Sequence, residues 1–176
     1  MSTLKLLALS GSLRTGSYNT AAIKALRDLA PADIDITIGS IGELPLFNVD
    51  HENDDIAALA LLKSALSVSS GLIISSPEYA HGISGPLKNT LDWLVSGEEF
   101  PSMPVMLINT SPRAFHAQEA LKEVLTTMSA NIIEAASVSI PLLGSELDDR
   151  GILANLELVA VLKSGLDMFC QAIRER

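Results

Sequence analysis

Gly11 to Asn19 reads Gly-Ser-Leu-Arg-Thr-Gly-Ser-Tyr-Asn, directly after the apolar run Leu4 to Leu9 and directly before the helix-like stretch Thr20 to Ala30. Ser12, Ser17 and Asn19 are short hydrogen-bond donors, and Arg14 is a permanent cation beside them. Gly11 and Gly16 let the backbone turn tightly. A buried strand that ends in such a loop and opens a helix offers free backbone N–H groups at a positive dipole end. The pattern is a cradle for phosphate, and a phosphorylated cofactor is the ligand it predicts. Taken by itself the segment also reads as an ordinary Gly/Ser turn.

Sixty residues on, another apolar run leads into Ser75-Ser76-Pro77-Glu78-Tyr79-Ala80-His81-Gly82-Ile83-Ser84-Gly85-Pro86-Leu87-Lys88-Asn89-Thr90-Leu91-Asp92-Trp93-Leu94. With both segments in view the chain resembles the NADPH-dependent FMN reductases of the flavodoxin-like superfamily, which include quinone, chromate and azo-dye reductases. The first family pattern, Gly-Ser-Leu-Arg-x-Gly-Ser-x-Asn, is met in full from Gly11 to Asn19. The second, Pro-Glu-Tyr, a Gly/Pro-rich turn and then Leu-Lys-Asn-x-Leu-Asp-Trp, is met from Pro77 to Trp93.

The resemblance implies FMN as cofactor, with Ser12, Leu13, Arg14, Ser17, Tyr18 and Asn19 at its phosphate end. It places Pro77, Glu78, Tyr79, Ala80, His81 and Gly82 beside the isoalloxazine ring, read more by backbone than by side chain. Tyr18 either packs at the loop edge or meets the flavin. The side chains of Glu78 and Tyr79 either touch the cofactor or are solvated or structural. The chain departs from the family at Ala80, often Asn, and at Ser84, often Pro, so one hydrogen bond and some stiffness are expected to be lost. In the loop Asn109 to His116, Ser111 is the candidate for ring contact. Arg113 is either a surface arginine or an attractor of NADPH phosphates.

The implied activity is an NAD(P)H-dependent oxidoreductase, with NADPH or NADH as co-substrate. Hydride passes to bound FMN and electrons then pass to a quinone, azo compound, metal oxyanion or free flavin. No catalytic side chain is named, because the cofactor performs the redox step. A non-enzymatic flavodoxin-like electron carrier or flavin-binding sensor is the alternative. A P-loop nucleotide hydrolase fails for want of the lysine after Gly16, and dinucleotide binding by Gly-x-Gly-x-x-Gly fails on spacing.

The 176 residues carry a formal net charge of −9, no basic tract, and 48% hydrophobic residues. That excludes nucleic acid as an expected partner. No apolar run approaches the roughly 18 residues of a membrane span. The chain enters strand-like sequence without a secretory-signal pattern, so a cytoplasmic protein is expected. The apolar excess predicts a homodimer or homotetramer. The only cysteine, Cys170, lies in an apolar helical pattern and is read as a buried thiol; His51, His81 and His116 lack ligand spacing, so no metal is expected.

The elements that must position these residues follow from alternation. Nearly charge-free runs at Leu4 to Leu9, Ile34 to Ile38, Gly71 to Ser75, Pro104 to Asn109 and about Ala136 to Ile140 read as strands covered on both faces. Helices are expected at Thr20 to Ala30, Asp55 to Ser69, Pro86 to Val95, His116 to Met128 and Asn155 to Arg174. Asn19 and Asn155 are read as caps, Pro86 as a first-turn residue, and Gly151 as a loop before the last helix. The expectation is one α/β domain over 1–176: a flavodoxin-like three-layer sandwich whose five-stranded parallel sheet runs in order 2-1-3-4-5, with helices on both faces. Both motifs then fall at the switch point beyond the carboxyl ends of the strands.

Overall fold

Strands with two apolar faces need cover on both sides, and this chain supplies it with its first and last helices on one face and the helices between them on the other. The computed structural model describes residues 3–176. Its strands are β1 (Leu4–Ser10), β2 (Ile34–Gly39), β3 (Gly71–Ser75), β4 (Glu78–Tyr79), β5 (Gly82–Ile83), β6 (Pro104–Asn109), β7 (Asn131–Ile132) and β8 (Val138–Ser139). Its α-helices are α1 (Tyr18–Leu29), α2 (Ala57–Ser67), α3 (Gly85–Leu94), α4 (Phe115–Thr127), α5 (Asp149–Ala154) and α6 (Leu156–Arg174).

The main sheet is parallel in the order β2-β1-β3-β6-β7, with β8 also on β6. Leu9 sits between Gly39 of β2 and Ile74 of β3. Alternation along each strand divides the core. Leu6, Ala8, Ile73, Met106 and Ile108 face α1 and α6, where they meet Ile23, Leu26, Leu166 and Phe169. Leu7, Leu9, Ile74, Val105 and Leu107 face the other layer and meet Leu62, Leu66, Leu91, Trp93 and Leu121 of α2, α3 and α4. This is the expected three-layer α/β fold with strand order 2-1-3-4-5.

The fifth position differs from the expected continuous strand. β7 pairs with the start of β6 and β8 with its end, and a 3-10 turn at Glu134–Ala136 interrupts them. Across the break the Leu107 N–H donates to Ser137 Oγ at 3.1 Å, a side chain standing in for a strand carbonyl.

Three local expectations are corrected. The first helix begins at Tyr18 and its cap is Ser17, whose Oγ accepts from the Thr20 N–H; Asn19 is inside the helix, with its side chain turned inward. Gly151 lies within α5, a short helix capped by Asp148, and not in a loop. The Glu78–Ile83 stretch is an antiparallel hairpin, β4 with β5, whose central residues Ala80 (φ 49°) and His81 (φ 60°) are both left-handed. That is the geometry of a type I′ turn, which Asn-Gly usually signals and Ala-His does not. Asn155 does cap α6, accepting from Glu157 and Leu158, and Pro86 is in the first turn of α3. Among the described residues no helix is long and apolar enough to cross a membrane.

Candidate functional site

Parallel strands leave all their carboxyl ends on one side, and the loops after β1, β3 and β6 close there around a cavity of about 330 Å³. Ser12, Arg14, Ser17, Tyr18 and Asn19 line it from the first loop and the start of α1. Pro77, just before the hairpin, and Glu78 and Tyr79 of its first strand line it next, and Ser111 from the loop after β6. Leu13, Ala80, His81 and Gly82 are not among the lining residues. Leu13 is exposed and lies over Gly42, while Ala80 and His81 form the hairpin tip. Ser76, Thr110, Arg113, Ala114 and Leu143 complete the wall. Ser76 and Thr110 each follow a strand end beside a residue already singled out, which is a readable signal. Leu143 belongs to the loop after the fifth strand and carries no motif.

The first loop is held close against the second. A Cβ on Gly11 would come 2.8 Å from Ser76 Oγ and 3.2 Å from Ser76 Cα, so any other residue forces Ser76 to move. Gly11 N donates to the Ser75 carbonyl at 2.8 Å, and buried Ser84 donates its hydroxyl to the Gly11 carbonyl. Ser84 also caps α3 through the Leu87 N–H. Where stiffness was expected to be missing, a buried hydroxyl clamps the two loops together.

The donor directions are set by the same network. Ser12 Oγ accepts from Arg14 N (3.3 Å) and Ser17 Oγ accepts from Thr20 N (3.4 Å), which leaves each hydroxyl proton free to be donated elsewhere. Thr110 Oγ1 (3.1 Å) and Ser75 Oγ (2.9 Å), the latter sharing its one proton with the Ile108 carbonyl at 3.0 Å, donate to Asn19 Oδ1, so the Asn19 amide presents its NH2 as the remaining donor. A ligand oxygen that can only accept, as on a phosphate, matches these groups. Arg14 and Arg113 both border the cavity, and neither takes part in an ion pair among the described residues. The Tyr18 hydroxyl accepts from Glu146 N at 3.2 Å and ties the loop before α5 to the site.

Of the readings left open for the Glu78 side chain the structure shows the structural one, with a partner the sequence does not reveal. Glu78 Oε2 accepts from the Ala117 N–H at 2.9 Å, and the side chain is only 14% exposed. Helix α4 needs this partner, because its N-cap is Ala114 and supplies no side-chain bond. Glu78 thereby fastens the hairpin to the loop that holds Thr110, Ser111 and Arg113. His81 Nδ1 lies 3.6 Å from Glu78 Oε1, and the His81 ring meets His116 edge-on at 4.5 Å.

The rest of the second motif is structural. Asn89 accepts from Phe47 N (2.7 Å) and donates to the Pro45 carbonyl (2.9 Å), which also receives the Trp93 indole N–H (2.8 Å). Phe47 packs edge-on against Trp93. Cys170 is buried, remote from the cavity, and burial pushes its thiol up to about 11, opposed by the positive charge of Arg174.

Over residues 4–143 the chain matches the family model of the NADPH-dependent FMN reductases. Over 179 residues it is 30% identical to a 2-hydroxy-1,4-benzoquinone reductase of a Burkholderia species, covering 98% of each chain. It is 28% identical to an NAD(P)H-dependent FMN reductase of Pseudomonas aeruginosa over 180 residues and 97% of each. In three dimensions it is similar to a flavoenzyme NAD(P)H:(acceptor) oxidoreductase of Paracoccus denitrificans, with TM-score 0.77, 23% identity, and 96% and 98% of the two chains covered; that likeness speaks for the fold. The family match takes in every strand of the sheet and all the loops that wall the cavity, and the chain belongs to the NADPH-dependent FMN reductase family.

Proposed function

We propose that this protein is an NAD(P)H-dependent FMN reductase that passes electrons to a small acceptor such as a quinone. The observation that carries the reading is the cavity itself: unpaired Arg14 and serine hydroxyls whose protons are uncommitted at one end, and the start of a hairpin along the side. When bound, FMN supplies the redox chemistry, taking hydride from a nicotinamide and giving electrons to the acceptor. The chain's own residues bind and orient. Ser12, Arg14, Ser17 and Asn19 hold the phosphate, Arg14 supplying charge and the others directed donors. Pro77, Glu78 and Tyr79 present main-chain groups along the ring edge, and Ser111 approaches from the facing loop. Glu78 spends its carboxylate on α4 and so sets the spacing between the two walls.

Mixing the FMN-loaded protein anaerobically with NADPH or NADH is expected to bleach its visible absorbance, and a quinone added afterwards to restore it. If neither nucleotide bleaches the protein while a chemical reductant does, the electron-carrier reading replaces this one. Assembly into a dimer or tetramer belongs to the same proposal, on the ground of the chain's 48% hydrophobic residues.

A further inference from the structure

Tyr18 stands between two hollows. It lines the cavity, and it also lines a neighbouring pocket of about 310 Å³ bordered by Thr15, Gly16 and Lys24. Glu146, Asp148 and Asp149 bring three carboxylates to that second pocket against the two cations Arg14 and Lys24, so an anionic phosphate belongs on the cavity side of Tyr18. In the first family pattern, from Gly11 to Asn19, Tyr18 fills the unspecified position x. Its hydroxyl is therefore a feature of this chain and is free for a use of its own.

That use lies in the turn after the fifth strand. The turn is fastened at both ends: Leu142 is fully buried and donates its N–H to the Thr110 carbonyl at 3.1 Å, and Asp148 caps α5. Between these anchors Leu143 is 53% exposed and forms part of the cavity wall, while Gly144 (φ 80°) and Glu146 (φ 58°) are left-handed. Glutamate pays for that conformation where glycine does not. The stretch bonds mostly to itself, Ser145 N to the Leu142 carbonyl at 3.0 Å and Leu147 N to Ser145 Oγ at 3.2 Å. Among the described residues its one hydrogen bond to α1 is the Glu146 N–H donating to the Tyr18 hydroxyl at 3.2 Å, across 128 residues of chain.

A strained, partly exposed turn with a single tie to its neighbour opens locally at low cost, and opening takes Leu143 off the cavity wall. We propose that Leu143 to Glu146 is a gate beside the phosphate loop, that the Tyr18 hydroxyl is its latch, and that the latch sets how fast FMN enters and leaves. Held shut, the gate keeps FMN through successive turnovers as a resident cofactor. Tyr18 is a positioning residue here, acting on the turn and not on the reacting atoms. The proposal rests on the FMN-dependent reading above. A latch built from protein groups alone has a kinetic signature: breaking it speeds entry and exit together and leaves their ratio, the Kd, in place. A hydroxyl that instead touched the flavin would change exit and affinity and leave entry alone.

The experiment follows flavin fluorescence when the full chain, freed of flavin, is rapidly mixed with FMN, and again when the loaded protein is diluted. Tyr18→Phe is expected to raise both rates about fivefold, the worth of one net hydrogen bond, with Kd moving less than about twofold. Gly144→Ala puts a Cβ into open space but at φ 80°, so it strains the turn without reaching the cavity and should raise both rates as well. Glu146→Ala keeps the main-chain donor and should leave both rates near those of the parent. Independently of flavin, amide exchange at Glu146 should quicken in Tyr18→Phe. The gate stands only if Tyr18→Phe and Gly144→Ala each move both rates. Unchanged rates in either variant overturn it, and so does a faster exit matched by lost affinity, which makes Tyr18 a flavin contact. A parent protein that binds no FMN is a different result, and it removes the FMN reading itself.

Discussion

At the scale of single residues, charge and φ decide most. Arg14 is the one unpaired cation in the phosphate loop, and a charge-assisted bond is worth about 1.5–3 kcal/mol. Arg14→Ala should therefore weaken FMN by that amount while moving riboflavin, which has the ring and no phosphate, far less; parallel titrations of the two flavins check it. Arg113→Ala should alter FMN affinity much less than Arg14→Ala. An equal loss from both would put the phosphate elsewhere. Ala80 is a different case, legible in the sequence only as a departure from the family. The structure shows why asparagine suits the position: φ is 49°, in the left-handed region that costs most L-residues about 1–2 kcal/mol and that Asn tolerates. Ala80→Asn should raise the thermal midpoint by about 2–4 °C, the shift expected from roughly 1 kcal/mol in a chain of this size. An unchanged or lowered Tm would mean that the hairpin tip is not under strain.

At the scale of elements, the sequence carries what is local and loses what is distant. The apolar runs of β1, β3 and β6 lie where their composition puts them, and Asn155 caps α6 because a cap acts within three residues. The break in the fifth strand is invisible, because it depends on Ser137 reaching Leu107 across the sheet. The partner of Glu78 is equally hidden: it is the Ala117 amide, 39 residues on, at a helix that has no cap of its own. From sequence, the Glu78 side chain could touch the cofactor, be solvated or be structural; its carboxylate serves an element. The consequence is measurable. Glu78→Ala leaves the α4 amide unpaired and should cost about 0.5–2 kcal/mol of stability, the range for loss of an N-cap. FMN affinity should fall with it, because the hairpin and the loop of Ser111 are no longer joined. Glu78→Gln keeps an oxygen acceptor at the same reach and should recover most of both in chemical denaturation and flavin titration. Equal damage from the two substitutions would point to the charge itself and away from the helix contact.

At the scale of the molecule, the balance of apolar surface raises a question that the motifs do not touch. With 48% hydrophobic residues the chain is expected to carry more apolar surface than one core absorbs, and helix α3, with Leu87, Leu91, Trp93 and Leu94, reads from sequence either as core or as a face near a contact with a second copy. The structure gives those four side chains another use: each is at most 2% exposed, packed on the sheet beneath α3. Helical spacing alone does not distinguish a core face from an interface, since both need the same apolar stripe. If copies associate, the contact must use other surface, such as exposed Leu46, Leu61, Val68 or Leu156. Sedimentation at micromolar concentration is expected to show a dimer or tetramer. The variant that separates the two uses of α3 is Leu91→Ala, which empties a fully packed site and should cost about 2–5 kcal/mol in denaturant melts. Below its melting temperature it should sediment as the parent does. Dissociation of a still-folded Leu91→Ala protein would return α3 to the interface, and a monomeric parent would remove the assembly proposal.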